Sequence, residues 1–289
     1  MVERDPAQLD EPGQPILETF TASDGYVSYY RRFLPGGPPK ARLICIHGIQ
    51  SHGGWYTRSC AKLAEAGYEV YFIDRRGAGL NTAHRGDAPG FRRLLDDIAE
   101  FIRALPSDGL KRLLIAISWG GKLGVGLQYR HPNLVDGLAL LCPGFFPQVR
   151  PPFWQRLAIG RARGRSPSKL FPIPLNDPKL FTASPKWQEY VATDRFALRE
   201  GTARLLFSSL ALDIYLKRAW KRVRAPVLLM LAEADRIIHN VRTRAYVERF
   251  PSAGKTVIEY PGAHHTLEFE VEGHPYLGEL VKWVQRTIG

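Results

Sequence analysis

Ser118 stands in the run Ala116-Ile117-Ser118-Trp119-Gly120-Gly121, with small residues two places to either side of the serine. That spacing suits a strand that enters a helix through one tight, strained turn and leaves the seryl oxygen exposed. As a bare string the pattern is common, and an ordinary helix-capping serine is the alternative; its weight comes from lying between an apolar strand and a helix. A seryl hydroxyl becomes a useful nucleophile only when a base takes its proton. Two adjacent histidines, His264 and His265, and two nearby acids, Glu233 and Asp235, can supply that base and the carboxylate that orients it. The order serine, acid, histidine is one that such triads take. The chemistry predicted is acyl transfer, which also needs donors for a developing oxyanion. The backbone N–H of Trp119, at a helix start, and that of Ile49, just after His47-Gly48, are the candidates.

The elements that must position these residues follow from hydrophobic pattern. Apolar runs at 16–22 and 27–34, joined by Ser23-Asp24-Gly25, read as a hairpin. Strands at 42–46, 68–73, 113–117, 135–141, 226–232 and 256–260 then alternate with helices near 56–66, 91–105, 120–129, 242–250 and 276–288. Phe91, Leu94, Leu95, Ile98, Phe101, Ile102 and Leu105 recur at helical spacing. Apolar strands alternating with amphipathic helices predict an α/β fold with a mostly parallel central sheet covered by helices on both faces. The active crevice of such a sheet lies at the carboxyl ends of its strands. Each candidate falls at such an end: His47 after 42–46, Ser118 after 113–117, Glu233 and Asp235 after 226–232, and the histidine pair after 256–260. Residues 144–224 break the alternation after the sixth strand and are too long for a structureless loop. They are expected to form a mainly helical cap on a core made of 1–143 and 225–289.

The formal charge is +12, and 144–224 holds 16 Lys/Arg against 5 Asp/Glu, so +11 belongs to the cap and the core is nearly neutral. Arg161, Arg163 and Arg165 form a basic knot there, read as a solvated face, with peripheral contact to an anionic membrane or contact with an anionic substrate as the alternatives. No nucleic-acid motif accompanies the charge, so no nucleic-acid partner is expected. No metal is expected either: His264 and His265 are adjacent, without the i, i+4 spacing and acidic partners of zinc sites. Gly77-Ala78-Gly79 lacks the third glycine and helix start of a dinucleotide loop, so no cofactor is implied. Cys45, Cys60 and Cys142 show no paired spacing and read as small buried hydrophobes in a reducing compartment. Residues 1–15 carry no apolar signal core, and no run reaches the roughly 18 apolar residues of a membrane span. A soluble, cytoplasmic protein is the expectation.

Four ordered motifs resemble the α/β-hydrolase superfamily, and within it the monoacylglycerol lipase and lysophospholipase branch. His47-Gly48-Ile49-Gln50-Ser51-His52-Gly53-Gly54-Trp55-Tyr56 resembles the family run His-Gly-x-x-Glu-His-Ser-x-x-Tyr, with Ser51 and Gly53 replacing its Glu and Ser. Asp74-Arg75-Arg76-Gly77-Ala78-Gly79-Leu80-Asn81 is similar to Asp-x-Arg-Gly-x-Gly-x-Ser, with Asn81 in the last place. The run 232–238 resembles the acid motif and places the acid at Asp235; Pro261-Gly262-Ala263-His264-His265 resembles the histidine motif, whose catalytic residue lies three beyond the glycine. The resemblance therefore implies an α/β-hydrolase fold and a serine esterase with Ser118, Asp235 and His265 as its triad. It implies a small-molecule ester or lipid substrate. The same triad also serves acyltransferases, thioesterases and amidases, and a ligand receptor on this fold typically lacks a triad member. His52 is a candidate for substrate contact or for organising the oxyanion loop, with a structural hydrogen bond as the preferred reading. Of the cap aromatics, including Phe145, Phe146, Phe153, Trp154, Phe171, Trp187, Phe207 and Tyr215, two to four are expected at the pocket and the rest in the cap's own core. His84 and Arg85 are read as surface residues.

Overall fold

The computed structural model describes residues 14–252 and 254–289; residues 1–13, on which the reading of the N-terminus rests, lie outside the described residues. The chain enters as an antiparallel hairpin, β1 (Ile16–Thr21) and β2 (Val27–Phe33), turned at Gly25 with φ +81°. Then come β3 (Arg42–Ile46), α1 (Thr57–Glu65), β4 (Glu69–Ile73), α2 (Phe91–Ala104), β5 (Arg112–Ile117), α3 (Trp119–Arg130) and β6 (Gly137–Leu141). An insertion carries α4 (Phe153–Arg165), β7 (Leu170–Pro172), α5 (Pro185–Thr193), β8 (Glu200–Thr202) and α6 (Ala203–Ala219). The chain returns through β9 (Val227–Ala232), α7 (Asn240–Glu248), β10 (Lys255–Tyr260) and α8 (Tyr276–Ile288).

The main sheet has the order β1-β2-β4-β3-β5-β6-β9-β10, parallel from β4 to β10 and antiparallel only through β1 and β2. Its central strands β3, β4, β6 and β9 are buried along their whole length, as strands covered on both faces must be. Cys45 and Phe72 face α1 and α8, whereas Ile46 and Ile73 face α2 and α3, so alternate residues supply two separate apolar layers. Leu94, Leu95, Ile98, Phe101 and Ile102 of α2 are all buried, as their spacing predicts. β3 has β4 on one side and β5 on the other, so the chain direction across the sheet switches there. A crevice opens at such a point, between the loops that leave β3 and β5.

Several local readings change. β6 begins at Gly137 and not at 135, because Asp136 is used to brace β5: its carboxylate accepts from the Arg112 N–H at 2.8 Å. Within 144–224 the pair β7 and β8 forms a short antiparallel ribbon whose three-residue strands are too brief to show alternation. Polar ties fasten the insertion to the sheet. Asp87 accepts from Thr202 Oγ1 at 2.6 Å and pairs with Arg204, and Leu198 N–H donates to Gln50 O at 2.8 Å. Arg85, expected at the surface, is half-buried, with Nη2 donating to Phe196 O and Ala197 O; His84 is exposed. No described helix is long and apolar enough to cross a membrane.

Candidate active site

Ser118 occupies the single residue between β5 and α3, at φ +52° and ψ −124°. That left-handed conformation costs a non-glycine residue about 1–3 kcal/mol, and packing around it must enforce the turn. It does so by close backbone approach. A Cβ at Gly120 would stand 2.7 Å from the carbonyl oxygens of Ile46 and His47, and one at Gly121 would stand 2.5 Å from Pro143 Cβ. Ala116, where glycine is usual, is accommodated from the opposite side: a Cβ at Gly124 would lie 3.0 Å from Ala116 Cβ. The side chain missing from α3 at 124 makes room for the one present on β5 at 116.

His265 Nε2 lies 2.8 Å from Ser118 Oγ, and His265 Nδ1 lies 2.6 Å from Asp235 Oδ2. The tautomer that satisfies both contacts has Ser118 O–H donating to Nε2 and Nδ1–H donating to the carboxylate. Asp235 Oδ1 accepts from the N–H groups of Ile237 at 2.7 Å and Ile238 at 3.1 Å. Both oxygens are thereby assigned, and the buried carboxylate presents one fixed face to the imidazole. The neighbouring candidates are engaged elsewhere. Glu233 accepts from Gly262 N–H, bracing the turn before the histidines, and His264 sits beside Glu270, which accepts its backbone N–H. The structure brings Ser118, Asp235 and His265 together, and leaves Glu233 and His264 outside.

Cys142 was read only as a buried hydrophobe, yet its sulfur, Asp235 and His265 form a potential metal-ligand group with all three ligand atoms within 4.8 Å. The group does not fit an ion. Ligand atoms around a tetrahedral metal at ~2.0–2.2 Å would sit more than about 3 Å apart, and Nδ1 and Oδ2 are at hydrogen-bond distance. Burial, reinforced by the Asp235 charge, also pushes the Cys142 thiol well above its ordinary range, away from the thiolate that binds metals.

The two candidate oxyanion donors lie at the same place. Trp119 opens α3, where an N–H has no partner within the helix. A Cβ at Gly48 would lie 3.3 Å from Ser118 Oγ, so the backbone leading to Ile49 passes directly against Ser118. Among the described residues neither N–H is spent on a backbone acceptor. His47, fully buried, has Nδ1 2.8 Å from Gly48 O, and its Nε2 accepts from the Arg75 N–H at 2.8 Å. Burial, with the Arg75 charge adding to it, drives the His47 imidazole down to about 3. It is neutral at physiological pH, which the Nδ1 donor and Nε2 acceptor roles require.

Ser118 opens on a cavity of about 770 Å³ between the sheet and the insertion. Ile49, Trp119, Phe145, Phe146, Phe207 and Ile237 are among its apolar lining. Three of the eight cap aromatics named from the sequence thus reach it. His52 and Trp154 are not among the lining residues. The His52 ring is buried with Nε2 2.9 Å from Asp194 Oδ2, which also accepts from Trp55 Nε1 at 2.7 Å, so it ties the insertion down; Trp154 faces solvent. Burial opposes the Asp194 charge, yet these hydrogen bonds hold its carboxyl down to about 2. The wall also contains a pair that pattern reading missed: Lys122 Nζ of α3 lies 2.5 Å from Asp213 of α6. Lys122 lies four residues beyond Ser118, on the same helix face, which is the signal that could have found it.

Residues 37–272 match the model of the family described as serine aminopeptidase, S33 (Hydrolase_4). The chain belongs to this family. It is a serine hydrolase with the α/β-hydrolase fold. This S33-family chain is 28% identical to lysophospholipase L2 of Escherichia coli K12 over 87% of its own length and 81% of that protein's. It is 24% identical to human monoglyceride lipase, covering 92% of itself and 89% of the relative. The crystal structure of the Paleococcus ferrophilus monoacylglycerol lipase superposes with a TM-score of 0.81 at 24% identity, covering 90% of this chain and 99% of that one.

Proposed function

We propose that this S33-family chain hydrolyses carboxylic esters of single-chain acyl groups, in the manner of monoacylglycerol lipases and lysophospholipases, by two-step acyl transfer at Ser118. The observation that carries the reading is the Ser118–His265–Asp235 relay, at 2.8 and 2.6 Å, opening on a large apolar cavity. Ser118 Oγ attacks the ester carbonyl carbon as its proton passes to His265 Nε2. The Ile49 and Trp119 N–H groups hold the resulting oxyanion. Collapse breaks the bond to the alcohol, which leaves with the proton from His265. Water then attacks the acyl-enzyme, its proton passing to His265, and the carboxylic acid departs from a regenerated Ser118.

The chemistry of the cavity wall favours an ester amphiphile over a peptide amino terminus, despite the family's name. A substrate ammonium needs a free carboxylate. The acid of the lining, Asp213, is paired with Lys122, while Arg150, Arg156, Lys217 and Arg249 add only positive charge. The names of the relatives support the same substrate class. The test is a panel of glycerol and aryl esters graded by acyl length, run beside amino-acid amides and an alcohol-acceptor competition. Ester hydrolysis that rises with chain length and ignores added alcohol is expected. Preferential turnover of amino-acid amides would overturn the ester reading, and diversion of product to the acceptor would make the chain an acyltransferase.

The outer face of the insertion supports a peripheral role at an anionic lipid surface. On α4, Phe153 and Trp154 are 71% and 70% exposed, beside the exposed Arg156, Arg161, Arg163 and Arg165. Apolar side chains flanked by arginines are the composition of an interfacial helix, each basic residue adding about 1 kcal/mol near an anionic surface. Cosedimentation with vesicles containing anionic lipid is expected at low salt, weakening several-fold by about 0.5 M salt as charges are screened, and in Trp154→Ser. Equal binding to neutral vesicles, or none to either, would return the charge to solubility.

A further inference from the structure

We propose that Arg75 is a positioning residue of the acyl-transfer site, a buried cation that holds the Ile49 oxyanion donor in place and adds positive charge behind both donors. The proposal rests on the Ser118 reading above and concerns how that site stabilises its transition state. Three charged residues follow β4 in a row, and they meet different fates. Asp74 pairs with Arg31 and accepts the N–H groups of Gly53 and Leu80. Arg76 pairs with Asp24 and Asp97. Arg75, only 8% exposed, makes no ion pair among the described residues, and its Nε and Nη1 have no hydrogen-bond partner. A guanidinium buried without a counter-charge is costly, and packing does not demand one, since an apolar side chain fills similar space.

What Arg75 touches gives the charge its use. Nη2 donates to Ile49 O at 2.8 Å, with Gly48 O at 3.5 Å, and the guanidinium carbon lies 4.9 Å from the centre of the Trp119 ring. One side chain therefore contacts both residues whose N–H groups are the oxyanion donors. Its own backbone N–H donates to His47 Nε2, and His47 Nδ1 holds Gly48 O. A trans peptide is planar, with its C=O and N–H pointing in opposite directions. Fixing Gly48 O on one side consequently aims Ile49 N–H to the other. Fixing Ile49 O as well sets the next peptide plane, so both soft dihedrals of Ile49 are held before substrate arrives. The charge is fixed in the same step, in surroundings where little water screens it.

The full-length Arg75→Met protein, assayed with a soluble aryl ester, tests the proposal. Removing an oxyanion donor outright costs ~100- to 1000-fold, so loosening one should lower kcat by about 10- to 100-fold, with KM changed little. Affinity for a trifluoromethyl ketone, which forms a tetrahedral adduct on the serine, should fall by the same factor as kcat/KM. Arg75→Lys, which keeps the charge, should recover part of both losses. It also carries the test if the Met variant fails to fold, with kcat below wild type at unchanged KM as the expected result. Wild-type kcat and ketone affinity in a folded variant, or an effect on KM alone, would overturn the role of Arg75 and leave the Ser118 reading standing. A wild-type protein that neither turns over esters nor binds the ketone would bring down that reading and this one together.

Discussion

Ser118→Ala is expected to lower ester turnover by about 10⁴- to 10⁶-fold, the range seen when a triad serine is removed, and to abolish labelling by a fluorophosphonate. The fold should be unaffected, because Ala meets the same strained φ of +52° and loses only the 2.8 Å contact to His265. Ser118→Gly separates strain from chemistry. Glycine adopts positive φ without steric cost, so this variant should gain stability, by roughly 1 kcal/mol or more if the usual strain is relieved, while being equally inactive. A rise in melting temperature together with lost turnover would show that the serine is held in a conformation its own backbone disfavours. Turnover within tenfold of wild type in either variant would remove Ser118 from the mechanism.

Asp235→Asn should be nearly as damaging, about 10⁴-fold, and the hydrogen bonds explain why an isosteric change does so much. Oδ1 of Asp235 is committed to the N–H groups of Ile237 and Ile238. An asparagine must keep its carbonyl oxygen there, which turns its NH₂ toward His265 Nδ1. A nitrogen facing a donor must accept, so the imidazole proton moves to Nε2 and the base toward Ser118 is lost. Glu233→Gln, by contrast, should leave kcat within a few-fold of wild type, as that side chain only braces Gly262. Measured side by side with His265→Gln and His264→Gln, the four rates should fall into two dead and two active variants. Loss of activity in Glu233→Gln or His264→Gln alone would overturn the assignment.

The turn at Ser118 is legible in the sequence because its requirements are local: a buried strand, a helix one residue later, and small residues where backbones meet. Its imperfect feature, Ala116, could not be judged that way. The space it needs is supplied by Gly124, eight residues on, and that is visible only once α3 lies across β5. The same limit separates His52 and Trp154 from Phe145 and Phe146. All four are pocket candidates by type, but His52 makes the structural hydrogen bond preferred for it, to Asp194, a residue 142 positions away, and Trp154 is turned out to solvent. The short ribbon β7–β8 escaped because three residues carry no period.

Outside 144–224, hydrophobic pattern was enough to give the order of strands and helices and to put a serine, an acid and a histidine at strand ends, since periodicity and backbone sterics act over a few residues. Between Glu233 and Asp235, or His264 and His265, the residues alone left the choice open, and only the family resemblance preferred one of each. Packing of distant segments settled which of each pair joins Ser118: Glu233 is taken up by the Gly262 N–H and His264 lies beside Glu270, while Asp235 and His265 meet at 2.6 Å. It also decided the fates of Arg75 and Arg76, identical side chains one position apart. Both are buried, but Arg76 meets two carboxylates, while Arg75 packs against the Gly48 and Ile49 backbone with none among the described residues. Partners drawn from distant parts of the chain make that difference.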